Sequence, residues 1–215
     1  MNGKIIATKL HKIENGILGA QNNPEIQEKL NAFGYTPERI GEGKRLLDKV
    51  NLLMTTQVGN YSEQYVATDK VDKLWKTVYA NYMVTLKVTR VAFVGQPEIL
   101  QRFNATGKRC KSLSGWLRDS RLLYNNLLNS PDALAVLAQF GYSAEKLNNE
   151  LQMVNEVENL HSKQLNEKGD AQQSTIDRDK AFDELCKWYS SFRAIARIAL
   201  YDKPQLIEAM GIIKS

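Results

Sequence analysis

Histidine and cysteine are nearly absent from this chain, which holds two of each in 215 residues. His11 and His161 leave few ways to build a histidine-based nucleophile relay. Cys110 and Cys186 form no CxxC and no other metal-type pair, and as isolated free thiols they suit a reducing compartment. Proline (5) and glycine (13) are also scarce, which disfavours a fold of many short strands joined by turns. The chain has no Walker-type glycine-rich loop and no dinucleotide fingerprint, so no cofactor is expected. No run approaches the ~18 apolar residues of a membrane span. The stretch from Met1 to Lys9 lacks the apolar run of a signal peptide. Together these absences point to a cytoplasmic protein without recognisable catalytic machinery.

What is present is an ordinary globular balance, 43% hydrophobic and 25% charged, in a chain long enough to bury a core. The 29 Lys and Arg against 24 Asp and Glu leave a net charge of +5. These charges are spread along the sequence, whereas a dedicated nucleic-acid binder gathers them on one face.

The sequence repeats itself. Phe33-Gly34-Tyr35-Thr36 returns as Phe140-Gly141-Tyr142-Ser143, an offset of 107. The same offset aligns Pro24 with Pro131, Tyr82 with Tyr189, Arg90 with Arg197 and Pro97 with Pro204. Helical periodicity alone would not also align the glycines and the prolines. The chain therefore reads as two tandem copies, 22–104 and 129–211, joined by a connector at 105–128. Within each copy, short segments open on a proline and run to a glycine (Gly34, Gly107, Gly141, Gly211), the asymmetry of a short helix.

Apolar residues fall at three-and-four spacing from Ile40 to Met54 and from Leu147 to Leu165, as on an amphipathic helix. The polar stretches Gly59-Asn60-Tyr61-Ser62 and Asn166-Glu167-Lys168-Gly169-Asp170 read as turns, each followed by a second long helix. The expected fold is all-α: an antiparallel helical bundle of four long helices plus short end helices. It would be built from two copies of one helical-hairpin unit and fused into a single domain, 1–215.

Three sets of residues offer chemistry. Glu158-Asn159-Leu160-His161 has the Glu-x-x-His spacing of di-metal bundles, which places Glu158 and His161 on one helical face as candidate metal ligands. The other copy carries Asn51 and Met54 there, so the motif is single, and a core histidine hydrogen-bonded to Glu158 is the plainer reading. Lys108, Arg109, Lys111, Arg118 and Arg121, with Trp116 among them, form a basic connector that is a candidate interaction surface. Arg90 and Arg197 match across copies, late in a long helix. There an arginine either grips a partner's anion or makes a structural contact.

The functional expectation is a non-enzymatic bundle acting by macromolecular interaction or self-association. Its partner would be a protein or a second copy of the chain, ahead of nucleic acid at the basic connector. The alternative is a bundle binding a metal or small ligand through Glu158 and His161. Far-UV circular dichroism checks the fold class directly: a helical spectrum is expected, and one dominated by sheet would overturn the reading.

Overall fold

A computed structural model describes residues 3–212 of the chain, with side chains from residue 5 onward. The described residues form helices and turns, with no strand among them. In chain order the helices are α1 (Gly3–Asn22), α2 (Pro24–Asn31), α3 (Pro37–Ala92), α4 (Pro97–Arg102), α5 (Leu113–Leu128), α6 (Pro131–Ala138), α7 (Ala144–Ala199) and α8 (Pro204–Ala209). The bounds of α2, α3 and α4 return in α6, α7 and α8 after the same 107 residues.

The short helices follow from their punctuation. Each opens with proline in its first turn, where the missing N–H costs nothing. Asn23 caps α2 by accepting from the Glu25 and Ile26 amides at 3.0 and 3.2 Å. All four close in one way. The amides of Tyr35, Ala105, Tyr142 and Ile212 reach back to the carbonyls of Leu30, Leu100, Leu137 and Ile207 at 2.8–3.1 Å. The residue before each sits in the left-handed region: Gly34, Asn104, Gly141 and Gly211. This is the Schellman closure, and the side chain that follows the left-handed residue is buried each time. Asn104, at φ 52°, ends α4 where the sequence suggested Gly107. Asparagine is among the few residues with a side chain that tolerate this conformation.

The long helices differ from the expected pairs. α3 and α7 each run for 56 residues without the turns expected at 59–62 and 166–170. A glycine inside a helix costs about 1 kcal/mol. Stopping there would leave four amides and four carbonyls to be satisfied otherwise. Pairing with a neighbouring helix adds to the helical side of that balance. Gln57 donates to Thr175 at 2.8 Å, and Asn60 donates to the Asp170 carbonyl at 3.4 Å.

The chain divides into two compact units, and the division does not follow the repeat. Unit 1 comprises Met1–Tyr61 with Gly169–Ser215, and unit 2 is Ser62–Lys168. Unit 1 therefore holds α1, α2, the first part of α3, the last part of α7, and α8. Its core gathers Ile13 and Ile17 of α1, Leu47 and Val50 of α3, and Phe182, Leu185 and Phe192 of α7. Unit 2 holds the last part of α3, then α4, α5, α6 and the first part of α7. Its core gathers Tyr82 and Leu86 of α3, Trp116 and Tyr124 of α5, and Leu147 and Val154 of α7. In unit 1, rising numbers on α3 meet falling numbers on α7, as in Lys49 with Glu184 and Gln57 with Thr175. In unit 2, Thr68 meets Gln164 and Thr85 meets Glu150 in the same antiparallel sense.

Gly59 and Gly169 lie inside the long helices, and a Cβ added at either meets nothing within 4 Å. Gly59→Ala and Gly169→Ala are therefore each expected to stabilise the protein by about 0.5–1 kcal/mol in urea denaturation. A loss of stability from both would mean that the two segments turn.

Candidate functional site

The Glu158–His161 pair does not form. Glu158 is held instead by Arg121 of α5, whose Nη1 donates to Oε1 at 2.8 Å while Nη2 contacts Oε2. Asn155 Oδ1 accepts from the same guanidinium at 3.1 and 3.3 Å. The hydrogen bond from Arg121 lowers the Glu158 carboxyl below its ordinary range and raises the arginine in turn. Both side chains are about a third or more exposed, so the pair is a surface contact worth at most about 1 kcal/mol. His161 turns one helical turn forward. Its Nδ1 lies 3.0 Å from Gln164 Oε1, and Gln164 passes a hydrogen bond to Thr68 at 3.1 Å. No group of three or more His, Cys, Asp or Glu side chains that could hold a metal ion occurs among the described residues.

The basic connector disperses on folding. Trp116 is wholly buried in unit 2, against Trp75, Tyr79 and Tyr82 at ring separations of 6.1–6.2 Å. Arg109 turns inward, donating to the Asn104 carbonyl at 2.6 Å and contacting that of Thr106. Arg121 is engaged by Glu158, and Arg118 lies 3.4 Å from Asp119. Lys108 and Lys111 are exposed. Arg90 grips main chain, donating to the carbonyls of Ala105 and Gly107 at 2.6 and 2.9 Å. It fastens the loop after α4 to the end of α3.

A polar cluster that the sequence did not reveal lies in unit 2. Glu150 is 8% exposed, and its Oε2 accepts from Thr85 Oγ1 at 2.5 Å and Tyr124 Oη at 2.9 Å. Burial, reinforced by the Glu150 charge, pushes the Tyr124 hydroxyl far above its ordinary range. The signal was present but faint: Glu150 interrupts the apolar stripe of Leu147, Val154 and Val157. The corresponding position in unit 1 is Gly43, where the Trp188 ring lies 2.1 Å from where a Cβ would stand. One unit fills this place with an indole, the other with a hydrogen-bonded carboxylate.

Each unit also carries open grooves. One in unit 2, of about 320 Å³, is lined by Val66, Leu160, Lys70, Lys163, Glu63 and Glu167. The matching positions of unit 1 line a smaller groove with Leu53, Thr56, Asn60, Asp170, Gln173 and Asp177. A shared groove shape thus carries lysines in one unit and only acidic charge in the other. A third groove, of about 500 Å³ in unit 1, is bordered by Phe33, Ile198 and Tyr201. No protein-family model, curated protein or solved structure matches the chain.

Burial raises the hydroxyls of Tyr82, Tyr124 and Tyr189 above the ordinary value of 10.0. The unfolded chain ionises these groups at that value, so their stabilising contribution is complete below it. It is lost as pH rises toward the folded-state values. Alkaline titration followed by tyrosinate absorbance should leave these tyrosines protonated until the helical signal collapses. Tyr124→Phe should shrink that late fraction, and ionisation of all 9 tyrosines in one early step with helix intact would contradict it.

Proposed function

We propose that the chain is a tandem duplication whose two copies, 22–104 and 129–211, exchange the halves of their long helices, and that it acts without catalysis by binding another macromolecule. The recurrence of helix bounds after 107 residues supports the duplication. One observation carries the functional reading. In unit 1, Phe33 (48%), Ile198 (53%) and Tyr201 (82%) are exposed around one groove. The same positions in unit 2 hold Phe140 (46%), Val91 (61%) and Val94 (77%), also exposed. Folding does not require apolar side chains at solvated positions, yet both copies keep them. A clustered apolar surface rimmed by ion pairs suits a protein partner. Lys29–Asp202 at 2.7 Å and Lys203–Glu25 supply that rim in unit 1.

The partner read from this surface is a second copy of the chain, since a repeated apolar face can meet its own kind. Sedimentation velocity across a wide concentration range should show reversible association. Phe33→Lys with Phe140→Lys should abolish that association while leaving the helical spectrum unchanged. A wild type that stays monomeric throughout, or a double variant that associates equally well, would contradict self-association through these faces.

A further inference from the structure

Between α1 and the last part of α7, unit 1 holds a slot of about 220 Å³, lined by Lys9, Lys12, Ile13, Cys186, Tyr189, Ser190 and Arg193. The equivalent place in unit 2 is closed. At 107 residues from Lys9 stands Trp116, 0% exposed, packed on Tyr79 and Tyr82. Those two rings correspond to Cys186 and Tyr189. The registers of α1 and α5 agree along their length: Leu10, Ile17 and Ala20 are buried, as are Leu117, Tyr124 and Leu127. The open slot of unit 1 is therefore the space that an indole fills in unit 2.

The charge around it is one-sided. Lys9, Lys12 and Arg193 face the slot, and none of them forms an ion pair within 4.0 Å among the described residues. Asp183 is the acidic group near Cys186. The Tyr189 hydroxyl is already committed to the Lys12 carbonyl at 3.1 Å, so its ring presents an apolar wall. Arg193 lies over that ring at 5.9 Å. A volume below the ~300–1,000 Å³ of drug-sized pockets calls for a small occupant.

We propose that this slot binds a small flat organic anion, its ring seated where Trp116 sits in unit 2 and its carboxylate or phosphate held by Lys9, Lys12 and Arg193. The shape argument supplies the ring, and the three cations supply the anionic head. The site is independent of the apolar faces above, and its failure would leave that reading standing.

Isothermal titration calorimetry with indole-3-acetate, indole and acetate tests it on the full chain. Indole-3-acetate should bind more tightly than either fragment. In a Cys110→Ser background it should slow alkylation of Cys186 by iodoacetamide. Lys9→Trp, which copies the unit 2 solution, should abolish binding and protect Cys186 without any ligand. Arg193→Gln should weaken binding about tenfold with the helical spectrum unchanged, the loss of one charge-assisted contact. No binding of indole-3-acetate, equal binding of indole alone, or unchanged binding by a folded Lys9→Trp or Arg193→Gln variant would each overturn the proposal. Should Lys9→Trp fail to fold, the Arg193→Gln and alkylation measurements decide the matter.

Discussion

A single helix cannot bury its own apolar stripe, and in this protein that constraint governs everything else. α3 and α7 continue through the segments where turns were expected, so neither can fold back and cover itself. Cover comes from the other copy. In unit 1 the first part of α3 packs with the last part of α7, and in unit 2 the partners are reversed. α1 closes the first core and α5 the second. The burial that holds each unit is thus made between distant stretches of sequence, at separations such as 118 residues for Gln57 and Thr175.

Two units of one plan have been filled differently. Unit 2 places Trp116 at the centre of an aromatic cluster and buries Glu150 beneath two hydroxyl donors. Unit 1 has Lys9 and Gly43 at those places, with Trp188 over the glycine. A buried carboxylate is costly without donors, so Thr85 and Tyr124 have to accompany Glu150. Their counterparts in unit 1, Phe192 and Ile17, are apolar, as a core without the carboxylate requires. The substitutions are coherent within each unit, which is what independent packing solutions on one backbone look like.

The helical class and the ends of the short helices were legible because their causes are local. Proline at the start, an asparagine or serine cap, and a glycine in the left-handed region act within a few residues. Continuity through Gly59 and Gly169 was not legible. Glycine and asparagine favour turns locally, and what outweighs them is contact with a helix more than a hundred residues away. The site residues fared similarly. Glu158 and His161 share a helical turn in sequence, but Arg121 and Gln164 claim them. Trp116 and Arg121 look like part of a basic surface because a linear run of charge carries no information about which side chains turn inward. Glu150 showed only as a break in an apolar stripe, because the donors that make it tolerable come from α3 and α5.

The exchange of helix halves is the central claim, and proximity within unit 1 tests it most directly. Gln57 and Thr175 are in hydrogen-bond contact at 2.8 Å. Replacing both with cysteine in a chain lacking Cys110 and Cys186, then adding a short thiol-specific cross-linker at high dilution, should give an internally linked monomer in high yield. If each copy folded on itself through a turn at 59–62, Gln57 would lie beside Gln64. No internal link between 57 and 175 would then form, and that result would contradict the account.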